Sequence, residues 1–264
     1  MAAAPLPPMP APMPAPIHAP VPAPEAAPLS EGARIVNTFI APSKTFTDLR
    51  RNASWWAPFL LLSIMSLAFF YVVGQKIGYR KVAENQVQAS AKAAARMDQL
   101  PADQRDQALE GRAKGTQYFL YAYPVVILLF NLIIAAVLFG TFKLAAGADV
   151  KFKTTFAIVM YAGLPGVLKL ILAMASVAAG ANADAFSLDN PVATNPGYFV
   201  SALDSPLLHS LASALDIFLL WTLVLTAIAF TCVSKVKRGT AYGIVFGWWV
   251  VITGVGAAIG AAFR

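Results

Sequence analysis

Hydrophobic positions along the chain gather into five long stretches, roughly 55–74, 118–142, 156–178, 211–232 and 241–263. Each reaches the roughly 20 residues that a helix needs to cross the hydrocarbon core. In lipid the backbone must satisfy its own polar groups, which leaves helices as the spanning form open to such runs. The pattern therefore predicts an all-α, polytopic integral membrane protein, a bundle of five transmembrane helices. The five stretches contain two charged residues, Lys169 and Asp216.

The segments before the first stretch divide in two. Residues 1–29 are almost wholly Ala, Pro and Met, a composition that forbids helix and reads as a disordered, solvated spacer. A proline-rich ligand for an aromatic groove is the sharper alternative. From Ser30 to Ser54 the pattern becomes amphipathic. Ser30 is placed to cap a short helix carrying Ile35, Val36, Phe39 and Ile40, Pro42 ends it, and a second short helix follows with Phe46 and Leu49. With Arg34, Lys44, Arg50 and Arg51, this segment suits the membrane interface. Trp55 and Trp56 then mark the headgroup level. Residues 1–54 show no apolar run of the kind a cleavable signal peptide requires.

Residues 75–117 form the one sizeable polar insertion, rich in Ala, Gln, Lys and Glu, and read as a helical hairpin exposed to solvent. A partner-binding surface is its second reading. The other connections set the topology. Residues 145–155 carry Lys151 and Lys153, residues 233–240 carry Lys235, Lys237 and Arg238, and residues 180–205 carry only acidic charge. The positive-inside rule puts the two basic loops and the N-terminus in the cytoplasm and the C-terminus outside. The insertion falls outside too, against the pull of Lys76, Arg80 and Lys81.

Composition narrows the function classes. The chain is 58% hydrophobic and 12% charged, about half the charge of a soluble domain. Its net charge of +7 comes from cations at span ends and not from a basic patch interleaved with aromatics, so nucleic acid is not an expected partner. One cysteine, Cys232, and two histidines, His18 and His209, do not make a metal-ligand set. No nucleophile–base pair is visible, and neither an enzyme nor a cofactor is expected. Cys232 reads as a packing residue, with palmitoylation the weaker alternative.

The two buried charges carry the candidate chemistry. With the third stretch running outward and the fourth inward, Lys169 and Asp216 fall at similar depth at ~1.5 Å per residue. They are expected to form an ion pair in the outer half of the bundle, locking it. The alternatives are independent snorkelling of Lys169 with Asp216 in the wet interface, and a proton or ion path using both. Gly163, Pro165 and Gly166 interrupt the third stretch and predict a kink. Gly243, Gly247, Gly256 and Gly260 give the last stretch two small-residue motifs that let helices pack closely, within the bundle or between protomers of a homo-oligomer.

Several segments together resemble a known family. The residues are NTFIAPSKTFTDLRR leading into WWAPFLLLSI, then KFKTTFAIVMYAGLP, NPVATNPGYF and LASALDIFLLWTLVL. In order and spacing they are similar to the Yip domain family, in the bacterial branch of the Ypt/Rab-interacting membrane proteins. The resemblance implies five spans, a cytosolic N-terminus, a place in a bacterial inner membrane and a non-enzymatic role as scaffold or adaptor in membrane organisation. Its recurring positions fall at Asn37, Pro42, Phe46, Pro165, Asp216 and Trp221. A protein partner engaged through the cytosolic N-terminal segment is the expectation, and a small transporter using Lys169 and Asp216 is the alternative.

Overall fold

A computed structural model describes residues 27–263, with side chains through Gly260. The Ala/Pro-rich stretch 1–26 lies outside the described residues. The fold is all-helical, 76% helix, with no strand among the described residues. Two short helices lead, α1 (Glu31–Ile40) and α2 (Pro42–Asp48). The Ser30 hydroxyl caps α1 by accepting from the Ala33 amide at 3.2 Å. Ala41, before Pro42, leaves the helical region (φ −150°, ψ 61°), and Pro42 opens α2 as its first residue, since a residue before proline is disfavoured in the helical conformation.

The first apolar stretch is α3 (Trp56–Lys76). Gly78, at φ +84°, then turns the chain into α4 (Tyr79–Gln88), α5 (Ala91–Asp98) and α6 (Ala102–Tyr121). The insertion is thus three helices and not a two-helix hairpin. Ser90 caps α5 through the Ala93 amide at 3.3 Å, which divides the Ala/Gln-rich run in two. Val87, Met97 and Leu109 give the insertion a small core of its own. Its charged residues tie it to the acidic loop after the third stretch. Lys81 pairs with Asp184 at 2.5 Å, and the Asn85 amide donates to the Ala183 and Phe186 carbonyls at 2.8 and 2.9 Å. Insertion and acidic loop therefore share one end of the bundle.

Next comes α7 (Tyr123–Ala145), followed by α8 (Phe152–Ala162) and α9 (Pro165–Ala178). The last two act as one 27-residue span at the centre of the bundle, with 61% of its apolar window buried against 11% for the last span. Gly180, at φ +91°, closes α9. Its amide bonds the Val177 carbonyl at 3.2 Å and the next amide, Ala181, bonds Ser176 at 3.1 Å, the two bonds of a Schellman cap.

The fourth apolar stretch is not one straight helix. It is α10 (Pro206–Ser213) and α11 (Ile217–Val233), bent by 50° at the intervening break. The last span is α12 (Arg238–Phe263). Among the described residues four helices are long and apolar enough to cross a membrane, and the count is five when the bent pair is taken as one span. The seam between α7 and α11 includes the stacked rings of Phe142 and Phe230, 3.6 Å apart. Trp248 on α12 donates its indole N–H to Thr141 on α7 at 3.0 Å. That bond gives a tryptophan deep in an apolar helix a packing and hydrogen-bonding role in place of an interfacial one.

Loop 190–200 is clamped onto α10. At Gly197 an added Cβ would lie 2.5 Å from the Ser213 amide nitrogen and 2.8 Å from the His209 carbonyl. His209 Nδ1 contacts the Val200 carbonyl at 2.8 Å, which commits this imidazole to the loop. Gly197→Ala is expected to destabilise by roughly 1–3 kcal/mol, the usual cost of overpacking where backbone must move. A thermal midpoint of the purified variant equal to wild type would refute that close approach.

Candidate functional site: two buried charge clusters flanking the central break

The central span is broken at Gly163 and Leu164, between α8 and α9. Around this point the ladder tightens to three-residue bonds, from Gly166 to Gly163 and from Val167 to Leu164 at 3.0 and 2.9 Å. Pro165 has no amide to contribute and sits as the first residue of α9. Leu62 of α3 packs at the break, 3.9 Å from a Cβ placed on Gly163 and 4.0 Å from one on Gly166. Tyr161 and Lys169 lie on opposite sides of the break, about 12 Å apart along the axis at ~1.5 Å per residue.

Lys169 and Asp216 are in contact, Nζ to Oδ2 at 2.9 Å. Asp216 is not set within a helix, however. It is the N-cap of α11, in extended conformation (φ −70°, ψ 129°). Its Oδ1 accepts from the amides of Phe218 and Leu219 at 3.0 and 3.2 Å. Its Oδ2 accepts from the Thr194 hydroxyl and, at 3.4 Å, from the Asn195 amide. The Ile217 amide completes the join by donating to the Thr194 carbonyl at 3.1 Å. A carboxylate at a helix N-terminus gains from both the free amides and the helix dipole. Asn190 and Asn195 exchange side-chain amide bonds of 3.0 and 2.7 Å, which fixes the loop that presents Thr194. The acidic loop thus reaches into the bundle and closes over Asp216, whose residue is only 3% exposed.

A second cluster lies on the other side of the break. Arg34 of α1 is 1% exposed. Its Nε and Nη2 reach Asp48 Oδ2 at 2.8 and 2.7 Å, and its Nη1 reaches Glu31 at 3.3 Å. Tyr161 donates its hydroxyl to the other Glu31 oxygen at 2.5 Å. Thr38 and Thr45 both donate to the Arg34 carbonyl, at 2.8 and 2.9 Å. Burial works to lower the Arg34 pKa, but the Asp48 and Glu31 carboxylates outweigh it and hold the guanidinium above its ordinary value. The leading helices are therefore built into the bundle. Arg34 is not an interfacial cation, because the Asp48 and Glu31 carboxylates hold its guanidinium inside the bundle.

The remaining positions singled out in the sequence fall around these clusters. Phe46 is fully buried in the main core. Pro42 opens α2, and Asn37 accepts the Ala41 amide at 2.8 Å through its carbonyl. Trp221 of α11 meets Phe39 of α1 edge-to-face, with ring centroids 5.7 Å apart. Of the four α12 glycines in the two small-residue motifs, Gly260 faces Ser210 of α10 at 3.7 Å from an added Cβ, while Gly243, Gly247 and Gly256 face open space. Sequence reasoning missed Glu31, Arg34, Asp48 and Tyr161 as a group. The signal available was the Arg34–Thr38 pair one turn apart on α1, in the segment assigned to the membrane interface.

A cavity of about 810 Å³ opens between α3, α6, α7, α9, α11 and the acidic loop, with Ser66, Asn131, Lys169, Asp189 and Thr222 in its wall. Asp216 is not part of that wall.

These observations define a multi-pass integral membrane protein with polar clusters buried inside its bundle. The Yip1 domain model matches residues 36–259, most of the chain and every apolar span in it. The chain belongs to the Yip1 domain family. No match is found among curated proteins or among solved structures.

Proposed function

We propose that the chain is a non-enzymatic scaffold or adaptor in membrane organisation, and that its two buried charge clusters lock the bundle. The observation that carries this reading is the state of Asp216. Its two oxygens take five donors, and the residue is closed off from the cavity that touches Lys169. A group used to pass ions needs an open coordination position or a path to water. A second reading, a small transporter, draws on the cavity wall at Lys169. In proteoliposomes the lock predicts no proton or cation flux above that of protein-free vesicles. Flux that Lys169→Met abolishes would replace the scaffold reading with the transporter.

The N-terminus is cytoplasmic and the C-terminus external in this proposal, in a bacterial inner membrane. In its support, Arg50 and the two short basic loops lie together at one end. The insertion and the acidic loop hold the other. Partner recruitment by the N-terminal segment then falls to its outward face. Val36 and Ile40, one turn apart, are 55% and 75% exposed. Val36→Ala/Ile40→Ala is expected to cut co-purification of a membrane partner roughly tenfold, since two truncated apolar contacts of ~1 kcal/mol each suffice. Undiminished recovery would remove recruitment through this face.

A further inference from the structure

At the end of the bundle opposite the insertion, three separate connections meet. Arg50 follows α2, residues 146–149 link α7 to α8, and residues 233–236 link α11 to α12. They enclose a cavity of about 350 Å³ with Arg50, Asp149, Ser234 and Lys235 in its wall. That volume lies within the range of small-molecule sites, ~300–1,000 Å³. Arg50 and Lys235 make no ion pair among the described residues, in contrast to Arg34, Arg80, Lys81 and Lys169. Gly147 turns the chain in the wall. It holds φ +60°, and a Cβ there would meet nothing within 4 Å. On the bundle side the wall turns apolar at Ala148 and Val233, both buried.

We propose that this cavity binds the phosphodiester headgroup of an anionic membrane lipid. Arg50 and Lys235 come from chain segments more than 180 residues apart, and the fold brings both to the wall of one cavity. A guanidinium and an ammonium held unpaired at the level of span ends match a phosphate in charge and in hydrogen-bond donors. Their two charges against the one of Asp149 leave a net +1, which a single phosphodiester neutralises. Asp149 is an acceptor only, and it suits a headgroup whose far end carries hydroxyls. The lipid is favoured over a soluble phosphate by position. The cavity opens where α7 and α11 end and α8 and α12 begin, at the ends of the apolar spans. Lys143, Lys151, Lys153, Lys237 and Arg238, in or beside the helix ends that flank these connections, add a field that concentrates anionic lipid around the opening.

The test uses the full chain purified in mild detergent and titrated with phosphatidylglycerol, with phosphatidylcholine, and with inorganic phosphate alone, bound lipid being counted by native mass spectrometry. One phosphatidylglycerol per protomer is expected to persist, and phosphatidylcholine is not. Arg50→Gln/Lys235→Gln is expected to weaken retention at least about tenfold, the loss of two charge-assisted contacts. The charge-keeping variant Arg50→Lys/Lys235→Arg is expected to remain within about threefold, and it controls for folding. Lys92→Gln/Arg112→Gln removes the same charge from the insertion and is expected to change nothing. Equal retention of the two lipids, or an equal loss from the insertion variant, overturns the proposal as general charge attraction. Inorganic phosphate binding as tightly as the lipid overturns the lipid as its source. None of these outcomes depends on the scaffold reading, which concerns the other clusters.

Discussion

Arg34→Leu is expected to destabilise the folded chain by roughly 3–5 kcal/mol, the cost of breaking a buried ion pair and leaving its partner uncompensated. Asp48 is 7% exposed and takes both Arg34 contacts on one oxygen, so the substitution strands a carboxylate inside the core. Glu31 suffers less. It is 26% exposed at its side chain and keeps the Tyr161 hydroxyl. Thr38 and Thr45 bond the backbone of residue 34 and are indifferent to its side chain. Removing both members therefore separates the pair from the packing. Arg34→Met/Asp48→Leu should recover most of the loss, because well-packed apolar residues replace buried ion pairs at little or no cost. A double-mutant cycle on unfolding midpoints in detergent gives the coupling. Simple addition of the two single losses would mean that the helices are held by Phe46 and Leu49 alone.

That cluster also marks where the sequence ceased to be legible. The apolar spans follow from composition, since a run of twenty apolar residues has few alternatives in lipid. The cap of α1 follows too, because Ser30 imposes local geometry whatever surrounds it, whereas α2 opens at Pro42 with no side-chain cap. Burial of Arg34 does not follow. A cation on an amphipathic helix reads as solvated unless its partner is known, and Asp48 lies 14 residues away across a turn. The same limit applies at the fourth span. Residues 211–232 read as continuous because neither Gly nor Pro interrupts them, yet the chain bends by 50° there. The interrupting residue is Asp216 itself, a good N-cap in a run where any other polar group is rare. Depth along the spans could suggest its nearness to Lys169. The loop that reaches in to meet it, through Thr194 and Asn195, has no sequence signal of its own beyond composition.

Asp216→Ala is expected to be the most damaging single change at the acidic-loop end of the bundle, again at roughly 3–5 kcal/mol for an uncompensated partner. The cap accounts for about 1 kcal/mol of it. The rest comes from Lys169, left charged, and from Thr194, whose buried hydroxyl keeps only the long contact of 3.4 Å to the Val192 carbonyl. Asp216→Asn should fall between the two, since an amide oxygen still caps α11 while the ion pair is lost. The geometry also decides the fate of a charge exchange. If the pair were a bare contact between spans, Lys169→Asp/Asp216→Lys would restore the attraction and with it the stability. A lysine at 216 has no acceptor for the Phe218 and Leu219 amides, sets a cation at the positive end of α11, and faces the donors of Thr194 and Asn195. The exchange should therefore be no better than the worse single variant, whereas Lys169→Met/Asp216→Asn, which keeps the cap and removes both charges, should approach wild type. Expression level and unfolding midpoint in detergent rank the four variants. Rescue by the exchange would show that the cap and the loop contribute little and that the charges alone hold the two helices together.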